Sequence, residues 1–434
     1  MASTVGDRLD PWLDSYAAQA RSMTASQIRA LFAVASRPEV VSLAGGMPAI
    51  SALDLDDVAG LVAQVVAAQG GAALQYGSGQ GDVALRELIA SAVLPPVGVS
   101  AHPDDIVVTV GSQHALELVT AVFCDPGDVV LVESPSYVGA LSVFAAAQVR
   151  VVHLPMDDDG LVADAIAPAV AALAAQGRRV KMLYTVPSFH NPAGVTQPPQ
   201  RRAAVLAAAQ RAGVLVLEDD PYALLGFDEV VPRALRADDP TGVVYLGSFS
   251  KTFAPGLRVG FAVAPHGVRE KLVLASEASV LCPSALAQLT IAAYLTHRPW
   301  WEQVKAFREL YRERRDALLD AMTALLPAAT TWTRPSGGFY SWVTLPGGLD
   351  ATAMLPRAVT ARVAYVPGSA FYAPADADAG RSSLRLSYCH PTPDRIREGV
   401  RRLASVVGDE LALADTFGTA AAGLRPAGPG PDVA

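Results

Sequence analysis

From about residue 104 the chain alternates between short apolar runs and longer alanine-rich stretches. Residues 106–110, 129–133, 149–154, 181–186, 214–218, 243–247 and 259–264 are rich in Val, Ile and Leu and read as strands. Between most of them, 114–123, 139–147, 161–175 and 200–212 carry the spacing of helices. Near-continuous apolar strands joined by helices predict a mostly parallel sheet covered on both faces, which makes one large α/β domain with a seven-stranded sheet. Upstream, 26–32 reads as a polar helix and 41–48 as an extended run ending in a Gly-Gly-x-Pro turn. Residues 53–68 read as a helix with Asp54, Asp56 and Asp57 in its first turn, where the dipole favours acids. Beyond 285 the pattern turns helical, with a long charged-faced segment over 301–326. The remainder, with apolar runs at 338–345, 364–368 and 383–388 and a helix over 394–407, predicts a smaller α+β domain. The organisation expected is an N-terminal segment 1–50, a large domain 51–300, a small domain 301–410 and a disordered tail 411–434, rich in Gly, Ala and Pro from 418 onward.

Composition narrows the class. With 434 residues, 51% hydrophobic and 18% charged, the chain has ample material for a core. A formal net charge of −8 argues against nucleic acid or anionic membranes as partners, so any anion site must be local. The three cysteines, Cys124, Cys282 and Cys389, are scattered and lack CxxC spacing, which fits a reducing cytoplasm and neither a disulfide framework nor a zinc site. No apolar stretch reaches about 18 residues without a charge or a proline.

In a sheet of this kind ligands sit outside the carboxyl ends of the strands. The residues there are polar, aromatic and charged: Gly111-Ser112-Gln113, Ser134-Pro135-Ser136-Tyr137, Pro187 to Pro192, Asp219-Asp220-Pro221-Tyr222, and Ser248-Phe249-Ser250-Lys251. Lys251 stands out. Burial between apolar runs disfavours its charged form and makes the amine a better nucleophile, while Ser248, Ser250 and Arg258 offer a phosphate cradle. A solvated lysine after a buried strand is the simpler reading of a lone Lys, but these three companions weigh against it. Lysine plus anion cradle is what pyridoxal phosphate needs. The glycines of Gln75-Tyr76-Gly77-Ser78-Gly79-Gln80-Gly81 do not follow a β-branched strand, so a turn presenting Tyr76 is expected there and not a dinucleotide loop.

Taken together, these motifs resemble the fold type I pyridoxal-phosphate enzymes, and within them the class I/II aminotransferases of the 2-aminoadipate and kynurenine aminotransferase group, over about 26–407. The resemblance implies that Lys251 holds the cofactor as an internal aldimine and that Asp219 pairs with its pyridine nitrogen; Asp219 is preferred to Asp220 for its spacing to Tyr222. Asn191 and Tyr222 match the pair that bonds the ring's phenolic oxygen, and Tyr137 the aromatic stacked on the ring. Ser112 and Gln113 join Ser248, Ser250 and Arg258 at the phosphate, where the start of a helix suits an anion. Tyr76 matches a tyrosine that reaches the phosphate of the neighbouring subunit in a homodimer. Arg385, in an apolar alternating run, matches the arginine that binds the substrate α-carboxylate, with Asn191 and Gly45 at the substrate edge. Ser26 and Arg29 match contacts to the far end of the substrate, and 1–50 would join the small domain to the substrate entrance. Ala193 stands where the family often has Thr, which affects the turn.

The activity implied is ping-pong transfer of an amino group from an amino acid to a 2-oxo acid, the cofactor passing through pyridoxamine phosphate, with no metal. Elimination, replacement or ring closure on the same fold is the alternative, because the cofactor shell is shared. Ser248-Phe249-Ser250-Lys251 also satisfies S-x-x-K, but the S-D-N and K-T-G partners of the penicillin-binding enzymes are missing. A regulator with a DNA-binding module ahead of the aminotransferase-like part is not expected, since the roughly 40 residues before the Ser42-Leu43-Ala44-Gly45 run include several acids.

Overall fold

The computed structural model describes residues 37–421 except 229, together with positions 12, 15–17 and 20. In chain order the principal elements are β1 (Val41–Ser42), α1 (Leu55–Ala73), α2 (Val83–Leu88), β2 (Ile106–Thr109), α3 (Ser112–Phe123), β3 (Val129–Ser134) and α4 (Val138–Ala146). Next come β4 (Arg150–Asp157), β5 (Gly160–Leu161), α5 (Ile166–Ala175), β6 (Val180–Thr185), α6 (Pro199–Ala212), β7 (Leu215–Asp219), β8 (Val243–Ser248), β9 (Gly260–Val263), α7 (His266–Val280) and α8 (Ala285–His297). The chain ends with α9 (Trp300–Leu325), β10 (Thr331–Trp332), β11 (Tyr340–Thr344), α10 (Ala351–Thr360), β12 (Val363–Ala364), β13 (Val366–Pro367), β14 (Ser383–Ser387) and α11 (Pro393–Ala421).

The large sheet has the order β2-β9-β8-β7-β6-β3-β4-β5. All seven strands expected from the apolar runs are present, and β5 adds a two-residue antiparallel return on β4. Five of them, β8, β7, β6, β3 and β4, pair in parallel, whereas β9 runs antiparallel to both β8 and β2. Alternate residues of β3 show why the runs are apolar throughout. Val130 and Val132 join one core with α3, α4 and α7, and Val129 and Leu131 join another with α5 and α6.

A second, antiparallel sheet follows, with the order β10-β11-β14-β13. The 364–368 run is two strands: β12 pairs with β1, and β13 with β14. The long charged-faced helix is α9, packed on α11. The tail expectation needs correction, because α11 continues through 411–421 instead of stopping near 407. Leu411-Ala412-Leu413-Ala414 is strongly helix-forming, Leu411 packs on the core, and Arg357 forms an ion pair with Glu410. The 26–32 helix lies outside the described residues, as do 422–434.

Candidate active site

The parallel strands deliver their carboxyl ends to one edge, and each following loop brings a polar side chain to it. After β2, Gly111 turns the chain at φ 79° into α3, so that Ser112 and Gln113 open a helix of 12 residues. Tyr137 follows β3, Asn191 follows β6, Asp219 ends β7 with Tyr222 beyond it, and Ser248 ends β8 with Ser250 and Lys251 next. Because β9 is reversed, the residues just ahead of it belong to the same edge, Arg258 among them, two residues before Gly260. Its guanidinium lies against Gly111, where a Cβ would come within 2.6 Å of Nη2, and Nη2 donates to the Val110 carbonyl at 3.3 Å. Gly260 is required at the same corner, since a Cβ there would stand 2.5 Å from the backbone nitrogen of Ser112.

These side chains line one cavity of about 160 Å³: Ser112, Gln113, Tyr137, Asn191, Asp219, Tyr222, Ser248, Ser250, Lys251 and Arg258, joined by Tyr340. Lys251 donates to the Gly46 carbonyl at 3.1 Å and stands 5.5 Å from the centre of the Phe339 ring. Burial depresses its amine to about 8. Asp219 is buried, and its Oδ2 accepts from the Tyr184 hydroxyl at 2.9 Å while Oδ1 has no protein partner. Burial pushes this carboxyl up to about 7, against the pull of Tyr184 and Lys251. Asp220, on the opposite side of the strand end, does not line this cavity and stands among Val93, Leu224 and Tyr245.

Arg385 is one layer behind, on β14. Its Nη1 donates to Asn191 Oδ1 at 2.8 Å and its Nη2 to the Ala44 carbonyl at 2.7 Å. Gly45 is held close by: its carbonyl lies 3.6 Å from the Cys389 thiol, which donates to Met47 at 3.2 Å. Tyr76 does not enter the cavity of its own chain; its side chain is 78% exposed. Ser26 and Arg29 lie outside the described residues. Among the described residues, no three His, Cys, Asp or Glu side chains gather as a metal cluster would require.

Sequence reasoning missed the support behind Asn191. Glu133, fully buried, accepts from the Thr185 hydroxyl at 2.7 Å and from the Val186 N–H at 2.9 Å. His190 Nε2 lies 3.0 Å from Glu133 Oε2, and its Nδ1 accepts from the Ala193 N–H. Tyr340 was also missed. It sits in an ordinary apolar run after Gly337-Gly338, with no spacing that marks it as cavity-lining.

Comparison with known proteins gives this geometry its family. A family model described as aminotransferase class I and II matches residues 39–403. The chain belongs to the class I and II aminotransferases. Aromatic-amino-acid aminotransferase 1 of Thermococcus litoralis is 36% identical over 91% of this chain and 94% of that protein. The 2-aminoadipate transaminase of Thermus thermophilus is also 36% identical, over 93% of this chain and 98% of the relative. Among solved structures, kynurenine aminotransferase of Pyrococcus horikoshii, in complex with PMP, superposes with a TM-score of 0.86 at 36% identity, covering 91% of this chain and 97% of that one. This aminotransferase depends on pyridoxal phosphate, and its sheet architecture is that of fold type I. The elimination and replacement chemistry weighed from the sequence is not favoured by relatives that are named aminotransferases. The cavity fits the cofactor on its own terms. It combines a depressed lysine, an unpartnered buried carboxylate oxygen, and a helix start with two serines and an arginine beside it.

Proposed function

We propose that the chain moves the amino group of an amino acid to a 2-oxo acid, with Lys251 both anchoring the cofactor covalently and carrying the proton. The observation that carries this reading is the position of Lys251: its amine, depressed by burial, shares one cavity with the free Oδ1 of Asp219. When bound, pyridoxal phosphate supplies an electron sink for negative charge developing on the substrate α-carbon. Asp219 Oδ1 would hold the ring nitrogen, Asn191 and Tyr222 the phenolic oxygen, and Tyr137 the ring face. Ser112, Gln113, Ser248, Ser250 and Arg258 would hold the phosphate. Arg385 binds the α-carboxylate, giving up Asn191 or Ala44 as partners, and so sets which bond at the α-carbon is aligned for cleavage. Lys251, its amine depressed by burial, would take the proton from the substrate α-carbon and deliver it, as a general acid, to the cofactor carbon that receives the amino group.

The unit is a homodimer in this reading, with Tyr76 serving the neighbouring site; its exposure beside Leu74, Val280 and Leu281 supports that. The large domain spans 51–300 and the small one 301–410, with 1–50 at the substrate entrance. A cytoplasmic setting accords with three free cysteines and with no described helix long and apolar enough to cross a membrane. Amino donors are sought first among phenylalanine, kynurenine and 2-aminoadipate, with 2-oxoglutarate as acceptor. For at least one donor, glutamate and the matching 2-oxo acid form in equal amounts, and Lys251→Ala forms neither. Failure of every amino acid tried to yield glutamate contradicts the reading.

A further inference from the structure

Tyr340 enters the cavity from the antiparallel sheet, at the start of β11, and touches groups that serve different ends of the site. The guanidinium carbon of Arg385 lies 4.1 Å from the centre of its ring. The Tyr222 ring meets it edge on, with centroids 6.1 Å apart and planes at 89°. On the other side its hydroxyl packs against Gly46, where a Cβ would come within 2.0 Å of it.

We propose that Tyr340 is a positioning residue for the substrate end of the site: its ring fixes the plane of Arg385. The inference rests on the aminotransferase reading above. Arg385 needs such support, because its Nε is buried without a partner and its two terminal nitrogens must exchange partners when a carboxylate arrives. An aromatic face steadies a guanidinium without competing for its N–H groups.

The test compares holoenzymes of the wild type, Tyr340→Phe and Tyr340→Leu by the separation of KM from kcat for the wild type's best amino donor, with thermal stability measured alongside. Tyr340→Phe keeps the ring, so KM stays within about twofold. Tyr340→Leu removes it, and KM rises about tenfold while kcat changes less. A purely structural residue would lower thermal stability in Tyr340→Leu and leave KM where it is in the wild type, and that result overturns the proposal. A wild type that binds the cofactor but turns over no donor overturns the underlying reading instead, and the inference with it.

Discussion

Burial leaves the Lys251 amine with a pKa of about 8 in the folded chain, against an ordinary value of 10.5. A lysine depressed in this way destabilises the fold while it is charged there. The penalty is full below about pH 8 and is relieved as pH rises towards 10.5, where the unfolded chain also loses its proton. Cofactor-free Lys251→Met is therefore expected to exceed cofactor-free wild type in stability by about 1–2 kcal/mol at pH 7. In denaturant titrations that difference should shrink by about pH 10; a difference that grows with pH would show the amine is not desolvated. The adjacent acids separate as sharply. Asp219→Asn is expected to lower kcat on the order of 100-fold or more, because it faces the cavity with a free oxygen. Asp220→Asn, turned the other way, should keep the cofactor's spectrum and leave stability unchanged or raised, because both carboxylate oxygens are buried without a hydrogen-bond partner. Asp219, the residue preferred for its spacing to Tyr222, is the one that faces the cavity, since neighbouring strand residues point to opposite faces. Tyr340 had no such mark, because its role comes from contacts with Arg385 and Tyr222 that only tertiary packing creates.

The reversal of β9 decides how the phosphate corner is built. A seventh parallel strand would carry Arg258 to the far edge; the antiparallel one returns it beside α3. Strand composition could not reveal this, since the run 259–264 is as apolar as its parallel neighbours. The corner is tight enough to test with one methyl group. In Gly260→Ala the new carbon would meet the backbone of Gly111 and Ser112 at 2.6 and 2.5 Å, contacts that no side-chain rotation relieves. Equilibrium dialysis should show cofactor affinity falling at least about tenfold, since a 1 Å displacement of positioning groups costs far more than its size implies. Unchanged affinity would mean that the helix start does not hold the phosphate. Behind Asn191, the Glu133 carboxylate ties together β6, the Val186 N–H and His190. Glu133→Ala leaves those donors unpaired and should cost about 3 kcal/mol, read as a lowered denaturation midpoint.

For the whole molecule, the alternation of strands and helices and the order of the motifs made the large sheet and most of the cavity lining legible in the sequence. What stayed hidden was set by long-range contact: the split of 364–368 between two sheets, the extension of α11 by packing of Leu411, and the second layer around Asn191. Tyr76, proposed for the neighbouring site, does not line the cavity of its own chain. It is accompanied by the exposed side chains of Leu74, Val280 and Leu281, on segments that the Gly77 N–H joins to the Cys282 thiol at 3.4 Å. The proposed dimer would bury this patch. Sedimentation equilibrium is expected to give a dimer, and Leu281→Arg a monomer with weakened cofactor binding; a wild-type monomer at full activity would remove Tyr76 from the site. The central claim is that nitrogen moves from one substrate to another by way of the cofactor, with Lys251 moving the proton. It is tested most directly by following nitrogen-labelled amino acid through one full turnover with an unlabelled 2-oxo acid. The account predicts that the label appears in the newly formed amino acid, one for each 2-oxo acid released, and that Lys251→Ala abolishes the transfer. Label recovered as free ammonia, with loss of a side-chain leaving group, would contradict it.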